Sequence, residues 1–512
     1  MSSPSHISAY ANDADNFLSR RVPHENSSTL SDRLSPILKF RKDMKKDGRP
    51  YADLAFADPH DPPLYGLTRA LSEQAARGVT TAAAEPCDEN DDDCPPSSLA
   101  SLFQYQREFK VEKQAILEAL QRRRGHSYDS LTAHHIWITN GGFGGLIMAM
   151  KTFSNVGDIF VTVTPEYFAY QDMIEGLECS TITVPLSPDD DFDLNVVAID
   201  FALRHHIEQV RILLLTSPGH PSGHVYTTEK LQALALVLQT INREREKHHF
   251  LPPIILLADE AYHRIVFPST HRPYVSPASF YEYTVSVYSY AKTTMAPSER
   301  LGWLALSPLW PKEMIRMTQK ALDAAQRTTG WLSPSATHAR CIPALERRQE
   351  EDTHKQHHRH HKNNNQHHNS SISSLNSSSQ HINYYDPNDG VHLDMHELEE
   401  RRDQLVSTLS SHGIHNVFPH VINPQSGLYM QIRVPDLFLP SHDADFCKLL
   451  AERYRIIAIP GSLMGLPGWI RFAITAPQDM MDHTCAGIHA FALDYKSNDP
   501  ALEPWLPAKD ID

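Results

Sequence analysis

Seven short runs of β-branched and apolar residues lie between Ile136 and Leu306, and they leave the chain few folds to choose from. They read "IWIT", "IFVTVT", "TITVPL", "RILLLTS", "IILLAD", "TVSVYS" and "GWLAL". Amphipathic stretches lie among them, such as "GGLIMAMKTF" (Gly144 to Phe153) and "TEKLQALALVLQTI" (Thr228 to Ile241). A strand that is apolar on both sides of its pleat can face water on neither. Such strands, separated by helices, predict an α/β fold with a mostly parallel seven-stranded sheet flanked by helices on both faces. Ligands of such sheets bind beyond the carboxyl ends of the strands. Chemistry is therefore expected from Asn140, Pro165, Ser217, Asp259 and Ser289 onward.

After Lys320 the pattern changes. A helix through "ALDAAQRT" is followed by another over "MHELEERRDQLVSTLSSHG" (Met395 to Gly413). Strands are expected near "GLYMQIRV" and "WIRFAIT", around a helix at "DADFCKLLAERY". This predicts a smaller α+β domain built from residues 47–63 and 336–500, beside a large domain over 64–335. Residues 1–46 read as a partly disordered N-terminal arm and 501–512 as a tail. The stretch "HKQHHRHHKNNNQHHNSSISSLNSSSQH" (His354 to His381) is low in apolar residues and predicts a disordered His/Asn/Ser-rich insertion over 350–384. Its histidines have no fixed spacing and no cysteine or carboxylate partners, which favours a spacer over a metal site.

Charge and cysteine content narrow the function classes. The net charge of −15, from 47 basic and 62 acidic residues, argues against nucleic acid or an anionic membrane as partner. The acidic run "CDENDDDC" (Cys87 to Cys94) lacks the glycine and terminal glutamate of a calcium loop and reads as a solvated insertion. Six cysteines in 512 residues make no disulfide framework. Cys87 and Cys94 could bridge, but reduced thiols are expected. The N-terminus has no apolar signal core, and no run reaches the roughly 20 residues of a membrane helix. A cytoplasmic protein is expected.

The residues at the strand ends are unusual as a set. "TNGGFGGL" (Thr139 to Leu146) places glycine N–H groups at a helix start, either as an anion cradle or as a plain tight turn. "TPEYFAY" sets Tyr167 over the strand ends, where a rim tyrosine is the bland alternative. "TSPGHPSG" is a rigid turn carrying His220. In "LLADEAYHRIVF", Asp259 closes a very apolar run, and Tyr262 follows within reach. In "YSYAKTTMAPSERLGWLAL", Ser289 and Arg300 suit a phosphate, and Lys292 suits a Schiff base. An isolated Lys–Arg pair is usually a solvated surface, but five coincident strand ends argue against that here.

Together these residues resemble the class I/II aminotransferases, the fold-type-I family dependent on pyridoxal 5′-phosphate (PLP). The match runs from about Ala52 to Ala476, and "ADEAY", "SYAKTTMAPSERLGW" and "GWIRFAIT" are its most specific pieces. The resemblance implies that Lys292 forms an aldimine with the cofactor and shuttles the proton of the substrate. It implies that Asp259 keeps the pyridine nitrogen protonated, that Tyr262 bonds the phenolic oxygen and that Tyr167 stacks on the ring. Gly142 and Phe143 N–H groups, Ser289 and Arg300 would hold the phosphate. Tyr105, in "FQYQREFK", would reach the phosphate of the neighbouring subunit, which implies a homodimer with a shared active site. Arg471 would grip the substrate α-carboxylate, with Ala55 or Ala57 beside it. The implied activity moves an amino group from an L-amino acid to a 2-oxo acid by a ping-pong mechanism.

This chain departs from the family pattern at several points. His220 stands where the motif before the turn usually has asparagine, so it either bonds the phenolic oxygen through a ring nitrogen or loses that contact. Ala291 replaces a serine, and Phe143 lacks the polar side chain often found there. Lys292 and Asp259 would equally serve elimination, or cyclisation of the aminocyclopropane-carboxylate-synthase kind. A non-catalytic PLP-binding relative is the other reading, against which the joint retention of Lys292, Asp259 and Arg471 argues.

Overall fold

The computed structural model describes residues 30–57, 109–124, 128–249, 251–328, 334, 336–343, 345–346, 394–497, 499–500 and 502. Tyr105, the acidic run at 87–94 and the insertion expected at 350–384 lie outside the described residues.

The chain opens with helix α1 (Leu30–Asp47) and strand β1 (Ala52–Asp53), and helix α2 spans Lys110–Arg124. All seven apolar runs are strands: β2 (Ile136–Asn140), β3 (Ile159–Thr164), β4 (Ser180–Pro185), β5 (Val210–Thr216), β6 (Ile255–Asp259), β7 (Thr284–Ser289) and β8 (Leu301–Leu306). They form one sheet in the order β2-β8-β7-β6-β5-β3-β4. Strands β3 to β7 run parallel to one another, while β8 is antiparallel to both β7 and β2. Because β8 reverses between them, β2 points the same way as β7. The ends of β2, β3, β5, β6 and β7 therefore lie along one edge of the sheet, which is why the residues that follow them can meet.

Helices cover the sheet as its composition requires. Helix α3 (Gly141–Phe153) and short α4 (Tyr170–Glu175) pack with Trp137, Phe160, Leu257 and Val287 in one core. On the other face, α5 (Val196–His205) and α6 (Thr228–Glu244) enclose Val161, Val163, Leu213 and Leu215. Leu231, Leu234, Ala235, Leu238 and Ile241 form the buried stripe of α6, and Thr227 caps it by accepting the Lys230 N–H at 3.2 Å. Helix α7 (Lys312–Thr328) adds Leu322 and Ala325 to the first core.

A second, smaller sheet follows helix α8 (Met395–Leu409). It comprises β9 (Val421–Ile422), β10 (Tyr429–Arg433), β12 (Ile459–Pro460) and β13 (Trp469–Ala473), all antiparallel, in the order β12-β13-β10-β9. Strand β11 (Ile456–Ile457), after helix α9 (Asp443–Tyr454), pairs in parallel with β1. Met430, Ile432, Ile470 and Phe472 point into a core shared with α8, α9 and α10 (Gln478–Lys496). The alternate residues Tyr429, Gln431 and Arg471 thus occupy the opposite face.

One ion pair ties the region beneath the strand ends together. The Arg264 Nη2 donates to both Glu346 oxygens, at 2.7 and 2.9 Å, and the Tyr290 hydroxyl donates to the same carboxylate. The guanidinium lies 4.4 Å from the Tyr288 ring centroid. Both charges are buried, with side-chain exposures of 6% and 1%.

Candidate active site

Lys292 stands at the start of the return loop from β7 to β8. The Tyr290 carbonyl accepts the N–H groups of Thr293 and Thr294 at 3.1 and 3.0 Å, forming a tight turn that holds the lysine at the sheet edge. Its Nζ lies 5.7 Å from the Tyr262 ring centroid.

Asp259, at the end of β6, is buried and tightly held. Its Oδ1 accepts the Ala261 N–H at 3.1 Å, and its Oδ2 accepts the Tyr170 hydroxyl at 2.7 Å. That hydroxyl in turn lies 2.8 Å from Thr216 Oγ1 at the end of β5. Burial pushes the Asp259 carboxyl above the ordinary range, against the Tyr170 and Ala261 bonds and the nearby Lys292 charge. A cationic group placed beside it would restore its ionised form. Tyr170 and Thr216 are functional candidates that sequence reasoning missed.

The two arginines occupy different corners. Arg300 closes the return loop in a left-handed conformation, φ 50° and ψ 50°, and its Nη1 donates to the Pro297 carbonyl at 2.9 Å. It lies against the start of α3, where a Cβ on Gly141 (φ +70°) would come within 2.8 Å of its Nη2. A Cβ on Gly142 would meet the Ser289 Cβ at 3.1 Å, so hydroxyl, guanidinium and helix N-terminus converge. Gly302 makes this possible, because a side chain there would strike the Tyr288 carbonyl at 2.4 Å and the Gly141 backbone at 2.8 Å. The Phe143 ring is 45% exposed, so only its backbone N–H belongs to the cradle.

Arg471, from β13 of the small sheet, is 1% exposed. Its Nη2 donates to the Ala55 carbonyl at 2.8 Å, and its guanidinium lies 4.1 Å from the Tyr429 ring centroid. Of the two alanines considered from sequence, Ala55 supplies this carbonyl, whereas the Ala57 backbone bonds Tyr429. The Nε has no partner, and among the described residues Arg471 makes no ion pair. A buried, unpaired guanidinium calls for an anionic ligand.

His220 and the tyrosines line the space between these corners. His220 stacks on Tyr262, with centroids 5.1 Å apart and planes 5° from parallel, and meets Tyr429 and Tyr167 edgewise. Its Nε2 is buried without a partner. Burial, then the charges of Arg471 and Lys292, hold the imidazole well below its usual pKa, so it is neutral. Burial raises the Tyr167 hydroxyl to about 12 and pushes Tyr262 well above the tyrosine range. Burial also raises Tyr429, but Lys292, Arg471, the Ala57 backbone and a hydrogen bond with Tyr262 bring it below that range. Tyr429, also missed from sequence, is thus the more acidic of the pair.

The neutral state of His220 has a measurable consequence. Below about pH 6.5 the unfolded chain binds a proton that the folded imidazole refuses, so stability rises with pH up to that value and is flat above it. The slope for one proton is about 1.4 kcal/mol per pH unit. His220→Phe, which keeps the stack on Tyr262, is expected to lose most of this slope between pH 5 and 6.5. Denaturant unfolding of both proteins across that interval checks it.

These residues fit the cofactor that the sequence implies. Glycine N–H groups, Ser289 and Arg300 suit a phosphate. The Asp259 carboxyl suits a protonated ring nitrogen, and the His220 Nε2, without a partner among the described residues, suits a phenolic oxygen.

Comparison with known proteins agrees with this geometry. The family model "Aminotransferase class I and II" matches residues 102–488. An aspartate aminotransferase of Pinus pinaster is 24% identical over 373 residues, covering 72% of this chain and 64% of that protein. A bifunctional aspartate aminotransferase and glutamate/aspartate-prephenate aminotransferase of Petunia hybrida is 27% identical over 209 residues, 41% of this chain and 40% of its own. Both matches span less than two thirds of the relative's length. Among solved structures, an amino transferase from Eubacterium rectale superposes with a TM-score of 0.67 at 18% identity, covering 98% of this chain and 100% of that one. A Thermus thermophilus aspartate aminotransferase variant gives 0.66 at 17% identity, covering 93% and 99%. With most of its length inside the family model, and the fold-type-I sheet to match, this chain belongs to the class I and II aminotransferases, whose members depend on pyridoxal phosphate.

Proposed function

We propose that the protein is a PLP-dependent aminotransferase that moves an amino group between an L-amino acid and a 2-oxo acid by a ping-pong mechanism. One observation carries the reading. The Lys292 amine lies against the Tyr262 ring, with its charge acting on buried Asp259, and Arg471 of the small sheet, buried and without a counter-ion among the described residues, acts with Lys292 on His220 between them.

Bound PLP supplies an electron sink for the carbanion formed at the substrate Cα. The chain's own residues do the rest. Gly142 and Phe143 N–H groups, Ser289 and Arg300 anchor the phosphate, and Tyr167 covers the ring. Asp259, oriented by Tyr170, holds the proton on the pyridine nitrogen. Tyr262 and neutral His220 hydrogen-bond the phenolic oxygen. Arg471, fixed by the Ala55 carbonyl, takes the substrate carboxylate as a charge-assisted pair. Lys292 Nζ carries the proton to and from the substrate carbon.

The large domain, 64–335, would carry the cofactor, and the small domain, 47–63 with 336–500, would bring the carboxylate clamp. A homodimer is proposed on the position of Tyr105 in the family motif. A cytoplasmic setting is supported by the four free cysteines among the described residues, Cys179, Cys341, Cys447 and Cys485. Among those residues no helix is long and apolar enough to cross a membrane.

The test is a donor and acceptor screen with purified, cofactor-loaded protein. Each L-amino acid is paired with a set of 2-oxo acids, and products are separated by mass. The expected result is a new amino acid and a new 2-oxo acid in equal amounts. Release of ammonia without a new amino acid would replace this reading with elimination.

A further inference from the structure

Gln431 lies in the middle of β10, directly opposite Arg471 in the antiparallel pair. Its chain neighbours Met430 and Ile432 point into the core of the small sheet, as do Ile470 and Phe472 beside Arg471. Gln431 therefore shares the face of Tyr429 and Arg471, which looks toward the candidate active site. It is 0% exposed, and among the described residues neither its amide oxygen nor its amide nitrogen has a hydrogen-bond partner. Arg471 beside it keeps a free Nε.

An amide buried with both ends idle is destabilising, and leucine would fill similar volume without that cost. The position is informative for another reason. Opposed residues of an antiparallel pair have Cβ atoms about 4.5–5.5 Å apart, so a ligand held by Arg471 lies within reach of the Gln431 amide. That amide is neutral and offers one acceptor and one donor group. An aliphatic side chain would satisfy neither. A carboxylate would accept from the nitrogen but confront the amide oxygen, and an ammonium would add a third cation beside Arg471 and Lys292. A group that both donates and accepts satisfies both ends.

We propose that Gln431 is a specificity-determining residue, whose amide hydrogen-bonds the side chain of the amino acid that Arg471 holds. The substrate class this selects is amino acids with a neutral carboxamide side chain, such as glutamine or asparagine, over aliphatic ones of equal size. The proposal rests on the aminotransferase reading.

The experiment uses the full-length holoprotein and follows the absorbance of bound cofactor during a single half-reaction. L-Glutamine, L-asparagine, L-glutamate and L-norleucine are compared in the native protein and in Gln431→Leu, with thermal unfolding of both. In the native protein, glutamine or asparagine is expected to react at least about tenfold more efficiently than norleucine, because a site built for hydrogen bonds rejects analogues lacking them. Gln431→Leu is expected to erase that ratio while unfolding at the same or a higher temperature. Equal rates for carboxamide and norleucine in the native protein overturn the proposal, as does glutamate reacting fastest. An unchanged ratio in Gln431→Leu overturns it too, and an accompanying fall in unfolding temperature assigns the amide a structural role. If no amino acid alters the cofactor spectrum, the aminotransferase reading fails first and takes this proposal with it.

Discussion

Lys292→Ala is expected to lower the turnover number at least about 10⁴-fold, the upper range for removal of a positioned acid–base group. The loss should exceed what any other single side chain of the site causes, because one amine both tethers the cofactor and moves the substrate proton. Stability should hardly change. Lys292 makes no ion pair among the described residues, and the turn around it is fixed by backbone bonds to Tyr290. Steady-state kinetics and thermal unfolding, measured on the same preparation, separate the two effects. Borohydride reduction followed by mass mapping supplies a third readout: a pyridoxyl adduct at Lys292 in the native protein and none in the variant. Residual activity within tenfold of native would reassign the lysine.

Glu346→Ala should produce the largest loss of stability, about 3–5 kcal/mol, because it takes the carboxylate from a buried guanidinium. Arg264 is 6% exposed and gives two Nη2 bonds to Glu346 beside its Nε bond to His263, and Tyr290 loses this acceptor at the same time. Chemical denaturation measures the deficit. The double variant Arg264→Met with Glu346→Leu should recover most of it, since replacing both charges with apolar groups removes the uncompensated one. Arg264 is two residues from Tyr262, and Tyr290 two from Lys292, so the single variant should also retain cofactor less well on gel filtration. If it unfolds like the native protein, the ion pair contributes nothing to the fold.

The sequence carried most of the large sheet, because apolar runs broken by helices admit few arrangements. All seven runs became strands, and their shared edge follows from that topology. The start of α3 was harder. The glycines, readable there as an anion cradle or a plain turn, are its first helical residues, packed against β8 at Gly302, whose role shows only when two strands and a helix are superimposed. Tyr170 was invisible for a similar reason, since its bond to Asp259 spans 89 residues and no local pattern encodes it. Tyr429 sits on a strand that could have turned either face inward. Arg471 became legible through family resemblance alone, and the lack of an acceptor for its Nε among the described residues shows only in three dimensions.

The bond from Arg471 to the Ala55 carbonyl joins positions 416 residues apart. During translation the large sheet has all its strands once Leu306 has left the ribosome, yet the proposed carboxylate clamp waits for β13, late in synthesis. The strand bearing Arg471 is thus among the last parts of the site to be made, and Ala261, Tyr262 and Met295 of the large domain find their core partners only when the small sheet arrives.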